Sequence, residues 1–580
     1  MKKLILLAAA SLPLLSCTND NDTTASSYEV WASDQSNSRA GVAARGEFGS
    51  YLWIWDSADI ASQVGGGADA APLGCTPGSL RGPCDLLEVF PQDLAEVGAG
   101  GVATGQTLSD LSGFGRLHGM LPDPQQRYLT ANIFAPSGGF VGVIDRATKE
   151  AVGLFRVTGT NVGGADSRSV HMSFWSEDGG AIIVANLNGK VLERIDVSRD
   201  SKGVITDLAF NRSASLGVGK NMSVTAEATA FSGNNAFGRP LIGRISGDYA
   251  DADFSDTTPN GVCKENGCGS IDPAAGGRPN NLIICPIPSD NGNVFITMGG
   301  GGLLVADHTT TPMTINGEYG NQIINGAGCG GTQVGDQMFL NAGVSASGAG
   351  ADASTFTMYR LSDNAFGSTA NAPNSPAPTL VFKDASNTAT GGNVESLIAS
   401  NTSGQLPGTT TRRDAHGTAS TLDGRYVHNV DRIRNLVEVF DTQTLARTTY
   451  DLTSADGLGG GLGACAAKSV RDDALLPSND PAPDLMERTP DGKYLMVALR
   501  GPAPVSVTHS AQGSCPGVGI IELTQGGALG RLIGVLRATN TLDTAPVSAP
   551  GGHAYSGAER SDPHAATVIS TTPTQVAARF

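Results

Sequence analysis

Four of the eight histidines, His118, His171, His416 and His564, share one sequence setting, and Asp484 stands in it a fifth time. Each leads a short segment, followed by a turn and an alternating apolar run. Imidazole nitrogens and carboxylate oxygens are the donors that hold zinc, iron or copper at about 2.0–2.2 Å. Five such residues at one level of a repeat are therefore a candidate metal set, with copper, iron or zinc as the candidate ion. The same register has a structural reading, because side chains of a strand alternate between its two faces. A histidine there can cap a backbone group between neighbouring repeats. Arg116, Arg168, Arg278, Arg413 and Arg560 stand a few residues ahead of lead positions. Clustered at one mouth, guanidinium groups bind a small anionic ligand through bidentate hydrogen bonds. Asp166, Asp414 and Glu559 beside them offer ordinary ion pairing instead. The chain has no G-x-S-x-G elbow, H-E-x-x-H, P-loop or CxxCH, so no catalytic residue is assigned from spacing.

The elements that must carry these residues follow from composition and repetition. In 580 residues there are 77 glycines, and only 16% of residues are charged. Abundant glycine with little charge predicts many tight turns between short strands. A net charge of −17 disfavours nucleic acid as a partner. The clearest copy of the repeat runs from His416 through Asp423-Gly424 to Tyr426-Val427-His428-Asn429, and on to Val437-Glu438-Val439-Phe440-Asp441. It reads as a strand, an Asp-Gly turn and two further strands. Copies led by His118, His171, Cys285, Cys329 and Asp484 share the frame. Tyr128, Phe295, Phe339, Tyr426 and Tyr494 stand ten positions after their leads, and the His171 copy has Ala181 there. Glu29–Asp34 and Leu52–Asp56 read as second and third strands without a first, and Asp562–Val568 as a first strand without partners. Joined, they make a seventh copy that closes a ring and removes its open sheet edge. Residues 57–110, 198–270 and 363–410 are insertions expected to decorate one face or to lengthen outer strands.

The order His, Asp-Gly, Tyr-Val-x-Asn, Val-x-Val-x-Asp resembles the repeat of the YVTN family of seven-bladed propellers, and the lactonase-like propellers are similar. The resemblance runs from about Tyr28 to Val568. It implies an all-β, seven-bladed β-propeller closed by N- and C-terminal strands in one blade, with long loop insertions. The expected organisation is one propeller over 28–570 and a tail over 571–580. Such a resemblance speaks to fold and hardly to activity. Carotenoid-cleaving oxygenases and nitrous oxide reductase are similar only in placing histidine-bound metal on a propeller axis, and neither activity carries over.

The chain begins with Lys2-Lys3, an apolar run from Leu4 to Leu12, and Leu14-Leu15-Ser16-Cys17. This resembles a bacterial lipoprotein signal over 1–16, with lipidation of Cys17 and a flexible tether over 17–27. Thr18 follows the cysteine where an aspartate would resemble an inner-membrane retention signal. An outer-membrane lipoprotein facing the periplasm or the cell surface is expected, touching the membrane by its lipid alone. The remaining cysteines, Cys75, Cys84, Cys263, Cys268, Cys285, Cys329, Cys465 and Cys515, are even in number, which favours disulfides in an exported protein. Cys75 with Cys84 and Cys263 with Cys268 would close short loops. Cys285 and Cys329 share the lead register, so they either form a disulfide or offer thiolates to a metal. Three functions fit: a monomeric, lipid-anchored propeller binding a small anionic ligand or a protein partner; a metalloenzyme, oxidoreductase or hydrolase, with histidine-held metal on the axis; or a lactonase-like hydrolase.

Overall fold

The Asp-Gly pairs make the hairpins that the sequence predicts. In the turn before Tyr426–Asp431, Thr421 Oγ1 and the Arg425 backbone N–H both donate to Asp423 Oδ1, at 2.6 and 3.0 Å. Gly424 takes φ 67°, in the left-handed region that glycine enters without steric cost. Asp491 repeats this with Thr489 and Lys493. At the far end of the third strand, Asp441 accepts from the backbone N–H of Gln443 and Thr444, both at 2.9 Å. These carboxylates close turns, as side chains that mimic a backbone turn do.

The computed structural model describes residues 27–40, 48–111, 113–219, 222–249, 282–299, 301–320, 323–324, 326, 328–342, 356–366, 376–384, 413–471, 478–505, 511–545 and 555–571. Among them, seven sheets hold at least four strands each, antiparallel but for one outer pair, and they are arranged as a β-propeller. Six are built from strands that follow one another along the chain. Their innermost strands are Leu117–Pro122, Val170–Trp175, Leu282–Pro288, Gly331–Val334, Ala415–Ser420 and Pro483–Arg488. They are numbered here as blades two to seven. Blade one is composite: Pro563–Ser570 pairs with Tyr28–Asp34, which pairs with Tyr51–Asp56 and then Cys84–Asp85. Val568 stands opposite Val30, and Val30 opposite Trp55. The two ends of the chain thus close the ring in one sheet, as expected.

Innermost strands pack side by side around the ring. Between blades four and five the join is covalent, through Cys285–Cys329. Gly331 lets the two blades approach, since a Cβ there would stand 2.7 Å from Ile287 Cδ1. The apolar core lies in layers between neighbouring blades. One such layer joins Trp31 and Ile54 of blade one to Leu117, Ile133 and Phe140 of blade two.

The insertions mostly lengthen sheets outward. Residues 57–110 give a helix, Ser57–Val64, and the short strands Ala95–Val97 and Ala103–Thr107. Those two strands join blade two through Thr229–Ser232, making a sheet of seven. Arg244–Ser246 adds to blade three in parallel. Disulfides join Cys75 to Cys84, Cys285 to Cys329 and Cys465 to Cys515. Cys17, Cys263, Cys268 and Arg278 lie outside the described residues.

Candidate functional site

Lead residues reach the channel because the innermost strands are bulged there. In blade two the register shifts between Leu117 and Gly119, leaving His118 without a partner across the sheet. Shifts span His171, Cys285, His416 and Asp484 in the same way, and His564 is passed over between Pro563 and Ala565. A bulge leaves one residue unpaired and re-aims its side chain. Six of the seven lead residues therefore leave the ordinary strand alternation together.

The four histidines converge. The rings of His118 and His564 stack with centroids 4.0 Å apart, His118 and His171 stand at 4.4 Å, and His416 and His564 at 5.6 Å. His118 Nε2 lies 3.2 Å from His171 Nε2. Each Nδ1 faces a neighbour: those of His118 and His564 are hydrogen-bonded, that of His416 meets a carboxylate without hydrogen-bond geometry, and that of His171 faces a disulfide sulfur. His564 Nδ1 donates to the His118 carbonyl at 2.6 Å. His416 Nδ1 meets Asp484 Oδ1 in a short contact. His118 Nδ1 meets the Gln35 amide at 2.6 Å, and His171 Nδ1 faces Cys285 Sγ at 3.8 Å. His171 also hydrogen-bonds the backbone of Ile284. Nε2 of His416 and of His564 makes no hydrogen bond among the described residues.

Asp484 is not free to act as a simple fifth ligand. Its Oδ2 accepts from Arg500 Nη1 at 2.8 Å and from Arg432 Nη1 at 3.3 Å, while Oδ1 serves His416. Arg500 also clasps Asp562 at 2.7 and 2.6 Å, and Arg432 clasps Asp414 at 3.1 and 2.9 Å. Three carboxylates and two guanidiniums thus form a buried network behind His416 and His564. Asp484 is the group that orients His416. The nearest approach of Asp484 Oδ2 to His564 Nε2 is 4.0 Å.

Burial keeps the imidazoles neutral. His171 is pushed down to about 3, first by burial and then by His416 and Arg116. His118 and His564 fall well below the usual histidine value, again by burial first. His416 is lowered by burial and by Arg432. Burial raises the Asp484 carboxyl, but His416, His564 and Arg432 outweigh it and hold the group ionised.

The arginine ring expected at the mouth does not form. Arg413 is buried among Asp384, Asp431 and Glu438, at 2.9, 2.6 and 2.6 Å. Arg168 binds Asp166 at 2.9 Å and the Val157 carbonyl at 3.0 Å. Arg560 donates to the carbonyls of Gly557 and Glu559. The reason is placement. Arg168 and Arg413 stand three residues ahead of their leads, before the strands Val170–Trp175 and Ala415–Ser420 begin, and are held there by their own acceptors. Arg560 stands four ahead, still outside the strand. Arg116 stands two ahead and does lie by the histidines, where its charge depresses His118 and His171.

Sequence reasoning missed Arg432, Arg500 and Gln35. A signal was present: Arg432 and Arg500 each stand sixteen residues after their lead, just past the second strand of the blade. Gln35 holds the same place in blade one, just past Tyr28–Asp34. The proposed thiolate ligands are corrected too. Cys285 and Cys329 are bonded to each other, so beside His171 they present a disulfide.

No family model matches the chain, and no curated protein matches it in sequence. Solved structures resemble its fold. A putative 6-phosphogluconolactonase from Bacteroides fragilis is 12% identical with a TM-score of 0.42, covering 95% of this chain and 100% of that one. The periplasmic gluconolactonase of Pseudomonas aeruginosa is 10% identical with a TM-score of 0.41, over 94% and 100%. Hydrazine synthase of Kuenenia stuttgartiensis is 11% identical with a TM-score of 0.35, over 75% and 90%.

Proposed function

We propose that the chain is a metal-binding propeller whose channel holds one transition-metal ion on the Nε2 atoms of His118, His171, His416 and His564. The observation that carries this reading is that each Nδ1 faces a neighbouring group, the Gln35 amide for His118, the His118 carbonyl for His564, Asp484 for His416 and the Cys285 sulfur for His171, which leaves the Nε2 atoms to the channel. Metal-bound histidines have this arrangement, with the far nitrogen tied to a carbonyl, carboxylate or amide that fixes the ring. Asp484 behind His416 is such a carboxylate. For His118, the Gln35 amide nitrogen meets Nδ1 while its oxygen accepts from Arg500 Nη2 at 3.4 Å, which puts the ring proton on Nε2, so ion binding by His118 Nε2 requires that proton to leave the ring. Two nitrogens sharing an ion at about 2.0–2.1 Å lie about 3.3 Å apart in a tetrahedral site. The 3.2 Å between His118 and His171 fits that spacing. His416, Asp484 and His564 offer ligand atoms within 4.8 Å of one another, a group apart from His118 and His171, so a four-histidine site requires the two pairs to move together.

Neutral imidazoles select zinc, iron or copper over calcium or magnesium. An ion so held polarises a bound water or an oxygen-bearing ligand, which is the chemistry of a hydrolase or an oxidoreductase. Three disulfides suit an exported protein, in keeping with the lipoprotein signal and Cys17.

A cleft of about 620 Å³ supports a second reading, capture of a small ligand or partner on the decorated face. Glu96, Thr104, Arg156 and Arg168 line it, away from the histidines. Metal content separates the readings. Chelator-treated protein, reloaded with zinc, iron(II) or copper(II) and desalted, is expected to retain about one ion per chain by elemental analysis. The His416→Ala/His564→Ala variant is expected to lose it. A folded wild-type chain that retains none overturns the metal reading.

A further inference from the structure

The charged ring around the channel changes sign at one place. Two residues ahead of the lead, blades six and one carry Asp414 and Asp562. Blade two carries Arg116 there. Just past the second strand, blades six and seven carry Arg432 and Arg500, which neutralise those two aspartates and Asp484. Blade two carries Phe134 sixteen residues after its lead, still within its second strand Tyr128–Ala135, and the Arg116 guanidinium lies 4.6 Å from the Phe134 ring centroid. An aromatic face orients a guanidinium without neutralising it.

Arg116 is thus the exception among the channel cations. Its side chain makes no ion pair or hydrogen bond among the described residues, and its buried Nε has no acceptor. Its backbone takes φ 58°, a region that side chains other than glycine enter sparingly. Asp562, a carboxylate whose charge acts on it, is already clasped by Arg500. Phe134 in turn lies 6.3 Å from the His118 ring, so guanidinium, aromatic ring and histidine form a continuous row.

We infer that Arg116 is the anion-recognition residue of the channel, binding one oxyanion of a small ligand whose other end reaches the histidine nitrogens. The first half stands on Arg116 alone, and the second rests on the metal reading above. The ligand class is a compact carboxylate or phosphate, whose paired oxygens match the guanidinium fork.

The test is calorimetric titration of the full mature chain, zinc-loaded and chelator-treated, with inorganic phosphate and separately with acetate. Wild type is expected to bind at least one of them, phosphate pointing to a phosphorylated ligand and acetate to a carboxylate. Arg116→Gln should weaken that binding about tenfold or more, the loss of a charge-assisted bidentate contact. Arg116→Lys, which keeps the charge but not the fork, should fall between and carries the test if Arg116→Gln does not fold. Arg244→Gln should leave the affinity within about twofold, since that guanidinium is ion-paired with Asp207 away from the channel. Equal affinity in wild type and the Arg116 variants, or no binding of either anion in either metal state, overturns the inference. If zinc fails to bind but phosphate affinity still depends on Arg116, the metal reading falls and the anion site stands. If zinc binds and the anions ignore Arg116, the reverse holds.

Discussion

Blades four and five, set against blades six, seven, one, two and three, show one register position used in two ways. In blades four and five the lead residues are Cys285 and Cys329, bonded to each other in an apolar setting with Ile284, Ile287 and Leu340. In the other five, the lead residues are four histidines and Asp484, backed by Arg432, Arg500, Asp414 and Asp562. One arc of the ring is closed by a covalent bond and the other by a buried polar network. A fold held only by hydrophobic layers would not need the second arc. Burying so many charges is costly unless each is paired, and that cost suits an arc that carries a function.

The largest way to break the comparison is Asp484→Asn. It leaves Arg432 and Arg500 short of a carboxylate inside the ring. Breaking a buried ion network from one side costs about 3–5 kcal/mol, expected as a lower urea midpoint with loss of channel metal. Replacing both Cys285 and Cys329 by serine strikes the other arc. The bridge spans a sequence separation of 44, and its loss should cost about 2–4 kcal/mol while lowering metal content less than Asp484→Asn does, since behind the histidines it removes only the weak Cys285 Sγ contact of His171. A matching loss of metal would show that the two arcs are one unit.

Acid should act on the histidine arc alone. In metal-free protein the folded imidazoles resist protonation, with His171 down at about 3. The unfolded chain takes up protons as pH falls through about 6.5. Stability from these groups is therefore complete above about pH 6.5 and is lost as pH drops toward 3. Each group contributes a slope of up to about 1.4 kcal/mol per pH unit. His171→Gln should flatten the pH dependence of the urea midpoint by about that amount, and the paired cysteine variant should not. The smallest effect is expected from Gln35→Leu, about 1 kcal/mol in stability, with metal affinity lowered about tenfold through the freed His118 ring.

Much of this was legible from residue order. Asp423-Gly424 and Asp491-Gly492 specify their hairpins locally, so the blades and their closure by both termini could be read. Cys285 and Cys329 could be paired because they share a register. The histidines could be grouped for the same reason, but their aim could not, since it depends on bulges that a count along the chain does not register. Asp484 looked like a ligand until Arg432 and Arg500 were placed against it. Those two arginines follow second strands, where sequence alone suggests solvent. Arg168 and Arg413 failed as channel residues because the Val157 carbonyl and the carboxylates of Asp384, Asp431 and Glu438, which a count along the chain does not place beside them, hold their guanidiniums.

The central claim is that the four Nε2 atoms hold one ion. Crystals of the mature chain grown with zinc, with diffraction recorded on both sides of the zinc absorption edge, test it directly. The account predicts one anomalous peak in the channel, about 2.0–2.1 Å from histidine Nε2 atoms that include those of His416 and His564, with Asp484 still on His416 Nδ1. A channel without a peak, its four rings hydrogen-bonded only to one another and to their neighbours, would contradict it.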